Sequence, residues 1–173
     1  MHIDSIKHKI VETNREKYGC DYYTQSIEYH KNKRHKYHSK KYPELSFDSK
    51  WEVYVYEFCK DNNIDVEYSP NISYNYEYDG IIWTYHPDFL INAKVYEVKG
   101  DQFFRINEST GKEEMYCPYG EKKLGEEKWR WLCGKFESKH QCMLKNNVTI
   151  LRHTHISNLS TSIFNTTNPI DNI

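Results

Sequence analysis

The chain has 173 residues, with 24 Lys plus Arg against 25 Asp plus Glu and no apolar run near the eighteen or so residues that a membrane-spanning helix needs. Its length suits one compact core with a short extension and excludes two full domains as the default. Aromatic residues make up 16%, including sixteen Tyr, which excludes disorder over most of the chain and points to a core built from amphipathic rings as much as from aliphatics.

The net charge of −1 conceals a partition. Residues 1–42 carry ten Lys plus Arg against five Asp plus Glu, a net of +5, whereas residues 43–173 carry fourteen against twenty, a net of −6. A basic arm is attached to an acidic body; the arm suits polyanions and the body suits metal ions. Five Cys at 20, 59, 117, 133 and 142 are odd in number and lack tight spacing, and polar residues follow Met1. The pattern predicts a reducing, cytoplasmic location with no membrane partner.

In chain order, His2 to Lys17 has Ile3, Ile6, Ile10 and Val11 at near-helical spacing, with Gly19 suited to the turn beyond. The run HKNKRHKYHSKK at 30–41 holds Lys31, Lys33, Arg34, Lys36, Lys40 and Lys41 without an acid; such a run is most often a solvated face or a mobile segment, and the phosphate-binding reading gains because the charge is concentrated and one-signed, which favours counterion release. After Pro43, a helix is predicted over 47–62 because Trp51, Val55, Phe58 and Cys59 form one stripe. Four strands follow, at 66–69, 73–78, 81–91 and 95–98, with Asp79-Gly80 as the strongest hairpin signal. Residues 100–125 read as a long polar loop. Residues 126–147 read as a helix through Trp129, Leu132, Phe136, His140, Met143 and Leu144, with Gly134 as a break, and 148–152 as a last strand. The tail from Asn158, rich in Ser, Thr and Asn, is expected to be loosely ordered. The order suits an α/β mixed sheet with helices packed on it.

Chemistry concentrates in YHPDFLINAKVYEVKG at 85–100. Glu97 and Lys99, two apart on a strand, share a face while Val98 points into the core, and Asp88, expected mid-strand on the preceding element, can sit across from them. Two carboxylates and an ammonium at one point can hold Mg²⁺ through oxygen ligands, with the Lys beside a scissile phosphate. Hydrolysis of a phosphodiester needs those parts.

Pro87-Asp88 followed by Glu97-Val98-Lys99, with Glu52 on an upstream helix, resembles the PD-(D/E)XK nuclease superfamily. The order of elements over 47–152 is similar to that superfamily's restriction-endonuclease-like αβββαβ core. The resemblance implies a Mg²⁺-dependent DNA endonuclease, with Mn²⁺ able to substitute, in which Asp88, Glu97 and the first-helix acid Glu52 hold the metal and Lys99 is the catalytic lysine. KGDQFF at 99–104, KHQCMLKNNVTIL at 139–151 and ETNREKYGCDYYTQS at 12–26 resemble segments of small phage-encoded, homing-associated endonucleases. That likeness implies DNA as partner and a bacterial host's cytoplasm as location; a monomer with one site would nick, and a double-strand break would take a homodimer or two visits. The domains so implied are a basic helical DNA-contacting arm at 1–42, a nuclease core at 47–152 and a polar tail at 153–173.

Plainer readings stand beside these. Asp88 can be a turn residue and Glu97 with Lys99 an exposed ion pair. Glu52 completes the S-x-x-E capping box begun by Ser49, in which the acid closes back on the backbone at the start of the helix. Lys139, with Gln141, can touch phosphate or be solvated. Cys117, Cys133, His140 and Cys142 lack the C-x₂₋₄-C pair of a zinc site and read as structural. Tyr68, Tyr74, Tyr76 and Tyr78 can stack on bases or pack in a sheet. Two rivals to the endonuclease remain: a nuclease selective for branched DNA, and a DNA-binding protein that keeps the fold without the reaction.

Overall fold

A computed structural model describes residues 2–26, 28–29 and 37–165. Helix α1 (His2–Tyr18) ends at Gly19, whose φ of 70° takes the chain out of the helix. A single 3₁₀ turn follows at Tyr23–Gln25, and β1 (Tyr37–His38) then pairs antiparallel with β2 (Ser46–Phe47). Lys31, Lys33, Arg34 and Lys36 lie outside the described residues.

Helix α2 (Lys50–Asp61) buries the expected stripe: Val55 and Cys59 are fully buried, and Trp51 and Phe58 pack against the same core. Strands β3 (Val66–Tyr68), β4 (Tyr74–Tyr78), β5 (Ile81–Tyr85), β6 (Phe89–Ile91) and β7 (Lys94–Lys99) follow. The span predicted as one strand over 81–91 is two, because Pro87 has no N–H to give a ladder and the backbone breaks at His86–Asp88. That break has a topological consequence. β4 and β5 form a separate hairpin across Asp79-Gly80, both at positive φ (56° and 68°), while β3, β6 and β7 belong to the main sheet.

The main sheet has the order β10-β7-β6-β3, where β10 (Thr149–Arg152) runs parallel to β7 and the other pairs are antiparallel. Between β7 and β10 the chain is not one loop. It makes a 3₁₀ turn at Asp101–Phe103, a hairpin of β8 (Phe104–Ile106) and β9 (Glu113–Met115), a one-turn helix α3 (Glu121–Leu124) and the long α4 (Glu126–Lys145). Gly134 does not break α4. The Tyr78 ring lies where a Cβ would project, so only glycine lets β4 and α4 approach this closely.

The fold is mixed α+β, with six α-helices among the described residues. α2 covers one face of the sheet, where Phe47, Val55, Cys59, Phe89, Ile91 and Tyr96 form the main core with Val98 and Leu151. On the other face Met143 of α4 packs with Tyr85, Val148, Val95 and Ile150. Within the polar tail the described residues form two short helices, α5 (His153–Ile156) and α6 (Thr161–Asn165). Ile156 is fully buried and Phe164 nearly so, each an apolar anchor that the Ser/Thr/Asn composition around them conceals. The arm also meets the body: Tyr37 and Tyr42 pack against the main core, and Ser39 donates to Glu57 on α2 at 2.7 Å.

Candidate functional site

The β6–β7 turn sets the site. Asn92 and Ala93, both at positive φ (46° and 62°), make a two-residue hairpin that fixes the register Ile91 to Lys94 and Phe89 to Tyr96. One step further, the same register sets Asp88 across from Glu97, which is the physical meaning of their spacing. Asp88 stands at the entry to β6 rather than mid-strand, and its Oδ2 accepts the Val98 N–H at 2.7 Å. Tyr96 and Val98 point into the main core. Glu97 and Lys99 point to the opposite face, toward α4, as the alternation of β7 requires.

Glu97 is 1% exposed. Its Oε1 accepts from Lys99 Nζ at 2.5 Å and Lys139 Nζ at 3.1 Å, and its Oε2 accepts from the Tyr85 hydroxyl at 2.8 Å. Burial by itself would push this carboxyl up, but Lys139 and Lys99 overcome that and hold it down at about 2. Asp88 goes the other way. Burial, then repulsion from Glu97 and Glu52, push its carboxyl well above the ordinary range, with Lys99 and the Val98 N–H offsetting only part. Burial opposes the charge on Lys99, yet Glu97, Asp88 and Glu52 together raise its affinity for the proton. Burial also lowers Lys139; Glu97 pulls back and Lys99 adds to the lowering, so Lys139 is the softer cation of the two. Its ammonium also sits 4.3 Å from the centre of the Tyr85 ring.

Glu52 makes half of the capping box: Ser49 caps its N–H, but its carboxylate closes back on the residue before the cap, Asp48, rather than on the Ser49 N–H. Its backbone N–H donates to Ser49 Oγ at 3.2 Å, and its carboxylate accepts from the Ser49 hydroxyl at 2.7 Å, the Asp48 N–H at 3.0 Å and the Tyr68 hydroxyl at 2.9 Å. Burial raises its pKa first, and those hydrogen bonds and Lys99 oppose the rise. Asp88, Glu97, Lys99 and Glu52 are therefore electrostatically joined, although Glu52 lies with the cap rather than with the pair of acids. Among the described residues, no group of three or more His, Cys, Asp or Glu side chains is gathered tightly enough to hold a metal by protein ligands alone. The oxygen donors of Asp88 and Glu97 nonetheless fit Mg²⁺, which takes one or two carboxylates and keeps water or phosphate in the rest of its shell.

The other side chains expected to bind are dispersed. Lys139 reaches inward to Glu97, Lys41 pairs with Asp61 of α2 at 2.5 Å, and Lys40 is exposed. Gln141 donates to Glu137. His86 donates from Nε2 to the Gln25 carbonyl at 2.7 Å, tying the arm to a point two residues before Asp88. Tyr74 and Tyr76 pack against the Met143 cluster, Tyr78 meets Trp131, and Tyr68 serves Glu52. All five cysteines are free thiols. Tyr85 is the residue that sequence reasoning passed over; its place at the inward end of the Ile81, Trp83, Tyr85 alternation, three before Asp88, was the available signal.

Beside Lys99, at the end of β7, opens a cavity of about 250 Å³ lined by Ser49, Trp51, Glu52, Gln102, Phe103 and His153. No family model, curated protein or solved structure matches the chain. No helix of the described residues is long and apolar enough to cross a membrane.

Proposed function

We propose that this protein is a Mg²⁺-dependent DNA endonuclease with a restriction-endonuclease-like core. The observation that carries the reading is the convergence, on one face of β6 and β7, of Asp88, Glu97 and Lys99 with opposite proton affinities in the two acids. A structural ion pair needs one acid and one base. A buried acid, Glu97, beside a half-buried one, Asp88, with the repulsion relieved on only one of them, forms an arrangement that a cation relieves. The order helix α2, strands β3, β6 and β7, helix α4 and parallel strand β10 supports the same reading.

Asp88 and Glu97 would hold the metal, which when bound neutralises phosphoryl oxygens and lowers the pKa of its water. Lys99 and Lys139 both donate to Glu97 Oε1, so that oxygen would hold a metal only with one ammonium turned aside. Lys139, the more distant partner and the one whose proton burial loosens, would be that one, placing its ammonium within reach of a phosphate. Lys99 stays beside Glu97 and offsets charge at the scissile group. The cations at 31–41 supply the nonspecific attraction that an acidic body lacks.

The second reading, a DNA-binding protein without the reaction, is favoured by one observation: every oxygen of Glu97 and Glu52 is already hydrogen-bonded within the chain. Incubating the full chain with linear, supercoiled and four-way-junction DNA, with and without Mg²⁺, separates the readings. Metal-dependent cleavage that Asp88→Asn abolishes is the expected result. Binding without cleavage in Mg²⁺ and in Mn²⁺ assigns the protein to the second class.

A further inference from the structure

The cavity beside Lys99 has one wall that neither metal binding nor phosphate chemistry uses. Trp51, at the start of α2, and His153, at the start of α5, place their rings 4.1 Å apart at 45°. Both line the cavity together with Lys99. The His153 ring is steadied from behind, with Nδ1 3.6 Å from Asp101 Oδ2, while Thr154 donates to the other Asp101 oxygen at 3.4 Å. Its side chain is still 49% exposed, so the wall faces solvent.

The rest of the lining is mixed, with Val98 and Phe103 beside polar groups. Gly100 has no Cβ, and the amide of Gln102, an exposed residue of the lining, lies in the space that one would fill, so an N–H donor and a carbonyl acceptor stand at the end of β7. Ser49 adds a hydroxyl to the lining. An aromatic wall, an amide able to read a heterocycle's edge, and an ammonium match the three parts of a nucleotide: base face, base edge and phosphate. At about 250 Å³ the space is smaller than the ~300–1,000 Å³ of sites for drug-sized ligands. It has room for one base.

Resting on the nuclease reading above, we propose that this cavity seats the base of the nucleotide next to the scissile phosphate, stacked on the Trp51–His153 wall. A base cannot enter it while stacked and paired in a duplex, and unpairing costs least where the base is already unpaired. The substrate class is therefore DNA carrying an unpaired nucleotide at the cleavage point, as at a bulge, a gap or a branch, in preference to a continuous duplex.

The test uses the full chain in EDTA, so that binding is read without cleavage. The probes are a duplex with one bulged 2-aminopurine, the same duplex with that base paired, and the corresponding single strand. The bulged probe should bind roughly tenfold more tightly than the paired one, in line with the gain from stacking one base on an aromatic side chain, and its fluorescence should be quenched on binding. His153→Ala, which changes an exposed residue, should collapse both the quench and the difference between the probes. Trp51→Leu should do the same, with a thermal melt to show that the core it borders is intact. Equal affinity for the two probes, an absent quench, or a quench that survives both variants overturns the base site. If Mg²⁺-dependent cleavage stands in that case, only the base site falls; if no DNA is bound or cut, the nuclease reading falls with it.

Discussion

β7 presents two faces, about three ångströms of backbone apart from one residue to the next and opposite in physics. Toward α2, Tyr96 and Val98 join a core of apolar and aromatic side chains that extends from Phe47 to Phe164. Toward α4, the buried apolar cluster is small, Tyr85, Met143 and Val148, and beside it are Glu97, Lys99 and Lys139. The first face stabilises the fold by removing apolar area from water. The second draws on that stability to hold charges that would otherwise stay hydrated. The proposed site sits where the sheet is anchored from behind.

The comparison can be broken most severely from the apolar side. Phe89 of β6 is fully buried within the main core, so Phe89→Ala should cost roughly 3–5 kcal/mol through lost burial and the cavity left behind. Urea denaturation measures this directly. A cost below about a kcal/mol would mean that the main core is not where the stability lies.

On the charged side, Glu97→Gln leaves Lys99 and Lys139 facing each other without their counter-charge. The destabilisation should reach roughly 3 kcal/mol, at the low end for a broken buried pair because each ammonium keeps 21% of its side chain exposed. Adding Lys139→Met should recover much of it. The folded pKa of about 2 lies below the ordinary 4.5, so Glu97 contributes stability that is present above pH ~4.5 and is lost as pH falls from there toward 2. A stability profile that stays flat in that window contradicts the assignment.

Asp88 sharpens the contrast because its shift has the opposite sign. A carboxyl raised in the folded state destabilises the fold while ionised, and that strain is relieved as pH falls through its folded pKa. Asp88→Asn keeps an acceptor for the Val98 N–H and removes the repulsion from Glu97 and Glu52. At neutral pH the variant should melt higher than the parent chain while losing metal-dependent cleavage; a lower melting temperature would show that Asp88 is held for structure.

Glu52 gives a smaller effect. Glu52→Gln weakens the cap and the Tyr68 hydrogen bond, and the expected cost is about 1 kcal/mol. If the metal requirement for cleavage rises as well, Glu52 serves both the cap and the metal; an unchanged requirement leaves it a cap.

The arm offers the smallest effect on the fold. Truncation at residue 42 would strip Ser39, Tyr37 and Tyr42 from α2 and the core, confounding binding with stability. Replacing Lys31, Lys33, Arg34 and Lys36 together by Gln avoids this. Melting should not change, while the slope of log affinity against log salt on duplex DNA should fall by roughly 0.9 for each phosphate that the arm no longer neutralises. An unaltered slope would remove the arm from the binding surface.

What could be read directly from the residues was whatever depends on local periodicity and turn chemistry. The stripe on α2, the Asp79-Gly80 hairpin, the alternation that sends Val98 to the main core and Glu97 to the opposite face, and the Ser49 cap of α2 are all consequences of neighbours within a few positions, and all are present. Even the nine-residue spacing of Asp88 and Glu97 becomes an opposed pair once the two-residue turn at Asn92–Ala93 is known.

Tertiary structure decided the rest, because the deciding partners are far apart in the chain. Lys139 meets Glu97 across 42 positions, and a long cation in a helix looks the same in sequence whether solvent or a buried carboxylate receives it. Gly134 reads as a helix breaker until Tyr78, 56 positions earlier, is found against it. Phe164 sits in a segment whose composition predicts looseness, and one apolar side chain reaching a prepared core outweighs its polar neighbours. The amino-acid order by itself specified which side chains β7 would send to each face; only the packing of α4, α5 and the hairpins determined what those side chains would meet, since burial and charge pairing depend on three-dimensional neighbours that no short window contains.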